Sequence, residues 1–146
     1  MVGGGSRGGP QESGGGEAEL ADLIVADTDA VIDFFTGREP LAAVVRELIK
    51  AERLAVTAVT VFELYAGVIG ARRLRELERF FGRIPVLPLR AAEGEIAGRL
   101  YARLKARRAT IGNQDLLIAA TVMASGSSLL TGNTGHFGAI EGLKIA

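Results

Sequence analysis

The chain has 146 residues, of which 48% are hydrophobic, and its formal net charge is zero, so we expect one globular domain and not a polycationic nucleic-acid coat protein. The absence of Cys and the single His exclude disulfide scaffolds, thiolate zinc sites, cysteine nucleophiles and metal sites built from several His. The sequence contains neither an apolar run of about 18 residues nor a basic start followed by an apolar stretch, so we expect a cytoplasmic protein without a membrane span or a secretory signal.

The N-terminal residues differ from the rest in composition. Half of residues 1–16 are Gly, which is typical of a flexible chain that cannot seed a core. One Arg and four acidic residues give residues 1–22 a charge of −3, which leaves +3 for the remainder. We therefore predict a flexible Gly-rich tail at 1–22 and one folded domain at 23–146.

The first half of this domain is predicted to contain two strands and three helices. The strands are short continuous apolar runs, and the helices have breaking or capping residues at their ends. In the last helix, Leu74, Leu77 and Phe81 are expected to form the buried face. The elements are, in chain order, a strand at 23–26, a helix at 27–35 ended by Gly37, a helix beginning at Pro40, a strand at 54–57, and one long helix capped by Thr60 and reaching Phe81.

The second half is predicted to contain three short strands and two helices. The middle of its second helix, LLIAATVM, is apolar on all sides and should be buried. Short apolar strands alternating with helices predict an α/β domain with a mainly parallel sheet and helices on both faces. The elements are a strand at 85–88, a helix at 91–108, a helix at 112–124, a strand at 128–131 and a last short strand at 143–145.

Polar residues follow two of the predicted strands. Asp27 and Thr28 follow the first strand, and Thr131 and Asn133 follow the fourth. In open α/β sheets the functional crevice lies beyond the carboxyl ends of the strands, so we expect these residues to meet there if the strands are neighbours.

Two further acids, Glu63 and Asp115, lie in otherwise apolar helical turns, where a buried carboxylate needs a cation or hydrogen-bond donors. Each candidate also has a purely structural interpretation. Asp27 suits a turn or a helix cap, Asp115 favours a helix N-terminus, and Asn133 fits an ordinary turn. Glu63 fits a solvated helix position, Asp29 a first-turn acid, and the single His, His136, a surface or capping position.

Taken together, these candidates form a set of three or four oxygen ligands without Cys or several His. Such a set suits a hard cation such as Mg²⁺ or Mn²⁺. A cation held by a few carboxylates keeps positions for water and phosphate, which is the arrangement for metal-assisted phosphodiester hydrolysis.

Four segments resemble, in order and spacing, the motifs of PIN-domain ribonucleases, and in particular those of VapC-type toxins of toxin–antitoxin pairs. The resemblance covers essentially all of residues 23–146. The segments are LIVADTDAVIDFF, AVTAVTVFELYAG, IGNQDLLIAATVMASG and LLTGNTGHF.

The resemblance implies a catalytic set of Asp27, Glu63, Asp115 and Asn133. Asp27 and Asp115 would bind the metal, Glu63 would bind it directly or through water, and Asn133 more weakly, because it stands where many members have a fourth acid. The hydroxyls of Thr28 and Thr131 would support the site. Since Asn carries no charge, occupancy by one metal is plausible.

The resemblance further implies a Mg²⁺- or Mn²⁺-dependent endoribonuclease that cuts RNA with a metal-activated water. It implies a homodimer inhibited by a small antitoxin, whose tail covers the acidic groove. It also implies a central parallel sheet of four or five strands. The Gly-rich tail is unlike the family, and we expect it to be dispensable.

Two alternatives remain open. A haloacid-dehalogenase-type phosphatase would use Asp27 as its nucleophile and Asp29 as acid/base. That family also needs a late Lys followed by an acidic pair, and Lys144, the only late Lys, has no such pair after it. The second alternative is a PIN-fold binding module without activity.

Arg99, Arg103 and Arg107 share a helix face, but we do not assign RNA contacts to them.

Overall fold

A four-stranded parallel sheet organises residues 20–146, which are the residues that the computed structural model describes. The strands are β1 (Ile24–Ala26), β2 (Leu54–Thr57), β3 (Val86–Leu87) and β4 (Ser128–Leu130). The α-helices are α1 (Thr28–Thr36), α2 (Leu41–Lys50), α3 (Ala58–Gly67), α4 (Ala71–Arg83), α5 (Ala91–Ala106), α6 (Asn113–Ser125) and α7 (Thr134–Phe137).

The strand order is β3-β2-β1-β4, and every pairing is parallel. In this order β1 is central, and its Val25 lies opposite Ala55 of β2 and Leu129 of β4. Parallel neighbours require crossover connections, which the helices supply on both faces of the sheet. The predicted α/β fold with a parallel sheet is therefore confirmed, with four strands.

The predicted fifth strand at 143–145 is wrong. Ile145 makes only an isolated parallel bridge to Leu129. The Leu129 N–H donates to the carbonyl of Lys144 at 2.8 Å, and the Ala146 N–H donates to the carbonyl of Leu129 at 2.8 Å. A turn at Gly142, with φ of 91°, immediately precedes this contact, so the segment aligns with β4 over one residue pair only.

The predicted long helix capped by Thr60 is two helices. Its cap is Thr57, whose hydroxyl accepts a hydrogen bond from the Thr60 N–H at 3.2 Å. The chain leaves helical geometry at Val68, and Gly70 then adopts a φ of 90°, which is open to glycine without strain. Local glycine geometry therefore overrides the continuous helical pattern.

The break changes which side of α4 is buried. Leu77 and Phe80 are buried, as is Ile84 just after the helix, whereas Leu74 is 37% exposed. The Phe80 ring packs against Phe35 of α1, with ring centroids 5.3 Å apart. The predicted face is thus correct for Leu77 and in part for Phe81, which is half-buried against the core. It is wrong for Leu74, because α4 turns Phe80 towards α1.

The hydrophobic core lies on both faces of the sheet. One cluster joins α5 and α6 to β1 and β4, and the other joins α1, α2 and α4 to β1 and β2. Six of the eight residues of LLIAATVM are buried, whereas Leu117 and Met123 are only partly buried, so the prediction for this stretch is confirmed for most of it. Among residues 20–146, no helix has both the length and the apolar character needed to cross a membrane.

The described fold begins with a short 3-10 turn at Leu20–Asp22. The Leu20 carbonyl accepts a hydrogen bond from the Ser127 hydroxyl at 2.7 Å, and the Asp22 carbonyl accepts two from the Arg53 guanidinium. These bonds attach residues 20–22 to the domain. The rest of the predicted tail, residues 1–19, lies outside the described residues.

Candidate active site

The candidate residues that follow β1 and β4 lie side by side, as the sequence predicts. Asp27 comes directly after β1 and Thr131 directly after β4, and these two strands are neighbours in the sheet. The Asp27 N–H donates to the carbonyl of Leu130 at 3.0 Å, which extends the pairing to the edge of the sheet. The site therefore lies at the carboxyl ends of two paired strands.

Asp27 is a buried carboxylate, with only 4% of its surface exposed. It caps α1, because its Oδ1 accepts a hydrogen bond from the Ala30 N–H at 2.8 Å. Burial raises the pKa of Asp27; hydrogen bonds from Thr131 and Ala30 oppose this rise, and the negative charges of Asp29 and Asp115 add to it. The two hydrogen bonds therefore do not fully offset the cost of burying the charged form of Asp27, and a nearby cation would stabilise it.

Glu63 is joined to the β1 edge through hydroxyl groups. The Thr28 hydroxyl donates to Oε1 of Glu63 at 2.5 Å, and it lies 3.0 Å from the hydroxyl oxygen of Thr60. Thr60 is fully buried, whereas Glu63 is half-buried. The predicted supporting role of Thr28 thus has a defined contact, and Thr60, which we expected only as a cap, belongs to the same chain of hydroxyls.

Asp115 lies in the first turn of α6, and its partner is a residue that the sequence did not single out for the site. His136 Nε2 lies 3.2 Å from Oδ2 of Asp115. This nitrogen is sealed from solvent, yet the contact lacks the alignment of a hydrogen bond. The available signal was position alone, since His136 is the only His and follows β4 closely.

Asn133 serves first as the cap of α7. Its Oδ1 accepts a hydrogen bond from the His136 N–H at 3.3 Å, while its own N–H donates to the Thr131 hydroxyl at 2.9 Å. Asn133 is exposed, and a carbonyl oxygen has two lone pairs, so one acceptor position remains.

The acids fall into two groups: Asp27 with Asp115, and Glu63 with its hydroxyl partners. Asp27 lies near enough to Asp115 to sense its charge and is hydrogen-bonded by Thr131, whereas Glu63 is bonded through Thr28. Within residues 20–146 no set of three acidic or His side chains is arranged to hold one metal ion together. The donors nevertheless fit Mg²⁺, because this ion commonly binds one or two carboxylates and keeps several waters. The under-compensated charge of Asp27 beside Asp115 is the observation in favour of that fit.

Comparison with known proteins decides the family. The sequence model described as the PIN domain matches residues 24–143, which span nearly all of the described fold. The chain belongs to the PIN domain family. Membership in it removes the phosphatase alternative, and Asp29 is accordingly an exposed acid in the first turn of α1.

Relatives of this PIN domain are similar over most of their length. Ribonuclease VapC19 of Mycobacterium tuberculosis is 35% identical over 116 residues, which cover 79% of this chain and 92% of the relative. The tRNA(fMet)-specific endonuclease VapC of Shigella flexneri is 29% identical over 125 residues, which cover 83% of this chain and 94% of the relative.

Solved structures show the same PIN fold. VapBC2 from Rickettsia felis, bound to a promoter DNA fragment, gives a TM-score of 0.72 at 20% identity, covering 85% of this chain and 97% of that one. DNA-bound VapBC from Salmonella typhimurium gives 0.73 at 22% identity, covering 85% and 96%.

Proposed function

We propose that this PIN domain is the ribonuclease toxin of a toxin–antitoxin pair, and that it cleaves RNA phosphodiester bonds with water and a divalent cation, Mg²⁺ or Mn²⁺. The observation that carries the proposal is the buried Asp27 carboxylate next to the charge of Asp115, at the carboxyl edge of the sheet. The similarity to VapC ribonucleases over more than nine-tenths of their length supports the same activity.

Each polar residue of the site has a distinct part in this proposal. Asp27 and Asp115 would hold the cation, with Glu63 acting directly or through water and Asn133 contributing its remaining lone pair. The cation would make hydroxide available near neutral pH and neutralise charge on the phosphate. The Thr28 hydroxyl fixes one oxygen of Glu63 and leaves the other free to accept from water. The Thr131 hydroxyl orients Asp27, and burial of Asp27 strengthens its interaction with any cation.

The first test is metal-dependent cleavage. The purified chain is incubated with a panel of tRNA, rRNA and mRNA fragments in Mg²⁺ or Mn²⁺, with and without chelator. We expect defined cuts that disappear with chelator and return when excess metal is added. No metal-dependent cut on any RNA, together with no growth arrest on expression, would favour the inactive binding module instead.

An apolar groove supports the proposed antitoxin partner. It lies among α1, α2 and α4 and has a volume of about 640 Å³. Its lining includes Phe34, Phe35 and Ile49, together with three Arg but only one Glu. An amphipathic segment with acidic flanks fits this pattern, since its apolar side chains would fill the groove and its carboxylates would face the Arg. The solved VapBC complexes of the same fold support a partner of the VapB kind.

The groove is tested by charge reversal. The combined variant Arg79→Glu and Arg83→Glu should weaken binding of the proposed antitoxin by at least about tenfold, because each change replaces attraction by repulsion. Arg75→Glu, on the same helix but outside the groove, is the matched control. Binding is measured by calorimetry on the purified pair. Equal loss in both variants would show that the groove is not the binding surface.

We also propose a homodimer, as the family resemblance implies. Phe62 is 63% exposed and Leu89 is 41% exposed, and both line a second, smaller apolar groove of about 420 Å³ beside α6. Apolar surface of this kind is typical of a protein interface. Light scattering of the purified chain would test the dimer.

A further inference from the structure

His136 is held firmly against Asp115 by its own neighbours. Its backbone N–H donates to the Asn133 side chain at 3.3 Å, which fixes the start of α7. Its ring meets the buried Phe137 ring edge-on, with centroids 5.6 Å apart and an angle of 80°. These contacts place Nε2 at 3.2 Å from Oδ2 of Asp115. The contacts within α7 therefore hold the ring beside Asp115.

The Nε2 atom of His136 lacks a hydrogen-bond partner in the part of the chain that the structure describes. It is buried, and within residues 20–146 it has no aligned hydrogen-bond partner. A buried polar atom without a partner costs free energy, and the carboxylate oxygen at 3.2 Å can remove that cost. The Asp115 side chain is 38% exposed, so it has room to rotate into alignment. Hydrogen bonds of this kind in active sites often tighten only when ligand is bound.

We propose that His136 is a positioning residue for Asp115. Its Nε2–H donates to Oδ2 and fixes the carboxylate, which leaves Oδ1 for a cation. The inference rests on the proposed function, because it assigns Asp115 to the metal. Partners that orient metal-binding groups commonly change metal affinity by about 10–100-fold when they are removed.

A series at one position tests this role in the full-length chain. His136→Ala removes the donor, His136→Asn retains an amide that is too short to replace Nε2, and His136→Gln reaches the Nε2 position. We expect the Kd for Mn²⁺, measured by electron paramagnetic resonance, to rise about 10–100-fold in the Ala and Asn variants and to recover in the Gln variant. Thr134→Ala, in the same helix, should match the wild type. Thermal unfolding checks that every variant is folded.

A second measurement needs neither metal nor RNA. Because the chain has one His, its imidazole nitrogen signals in a long-range ¹H–¹⁵N spectrum are unambiguous. We expect hydrogen on Nε2 and a shift of that signal in Asp115→Asn. Hydrogen on Nδ1 alone, or no shift, would overturn the inference.

The outcomes also separate this inference from the proposed function. Wild-type protein that binds Mn²⁺ and cleaves RNA, together with a His136→Ala variant of equal Mn²⁺ affinity, overturns the positioning role alone. Wild-type protein that binds no Mn²⁺ overturns both proposals.

Discussion

Replacement of Asp27 by Asn is expected to abolish metal-dependent RNA cleavage while preserving or increasing the stability of the metal-free protein. Cleavage should fall by more than about 100-fold, because removing even the partners of metal ligands costs about 10–100-fold. Stability should be kept because Asn caps helices as well as Asp does, and the amide retains an oxygen for the Ala30 N–H. The change also removes an under-compensated buried charge.

The stability difference should depend on pH with a defined sign. Because burial raises the pKa of Asp27, the folded protein binds a proton more tightly than the unfolded chain does. The wild type therefore gains stability as pH falls from this raised pKa towards the ordinary value of about 3.9, and loses that gain as pH rises. The advantage of Asp27→Asn should consequently grow with pH and vanish in acid.

Thermal unfolding of both proteins from pH 4 to 8, without metal, measures this difference. Asp22→Asn is the matched control, since Asp22 is an exposed acid just before β1 and is not among the charges that raise the pKa of Asp27. An Asp27→Asn variant that is markedly less stable at pH 7 would mean that the ionised carboxylate is itself a structural requirement. Undiminished cleavage in that variant would remove Asp27 from the catalytic set.

Glu63→Gln is expected to slow cleavage by about 10–100-fold, the range for groups that act on a metal through water or through other ligands. The amide oxygen of Gln can still accept from the Thr28 hydroxyl, so the local fold should persist. The slower cleavage should come from the missing negative charge and should appear as a higher Kd for Mg²⁺.

Cleavage rates at several Mg²⁺ concentrations measure this effect, with Glu78→Gln on the exposed side of α4 as the control. If Glu63→Gln cleaves RNA as fast as the wild type at every Mg²⁺ concentration, Glu63 has only a structural role.

Local signals in the sequence predicted most of the elements correctly. The run before Asp27 forms β1, Gly37 ends α1 with a φ of 73°, and the apolar middle of α6 is largely buried. These features depend on hydrophobic patterning and on residues that only fit particular backbone angles, so they are readable without tertiary contacts.

Features that depend on tertiary packing could not be predicted from the sequence alone. The exposure of Leu74 follows from how Phe80 packs against α1, which the helical period alone does not contain. The contact between His136 and Asp115 joins residues from two distant elements. Asp27 was found because it follows a strand, and Glu63 and Asp115 because acids are costly in apolar turns. Their grouping depends on the strand order, which periodicity does not give.

Helix α1 runs from the candidate active site to the groove proposed for the antitoxin. Asp27 caps its first turn, and Phe34 and Phe35 at its other end line the groove proposed for the antitoxin. Its nine residues span about 13 Å at ~1.5 Å per residue, a distance that about four residues of extended chain can cross. A tail tethered in the groove would therefore meet the acids at an effective concentration in the millimolar range. Even a weak tail would then inhibit strongly while attached, and cutting that short tether would release the enzyme.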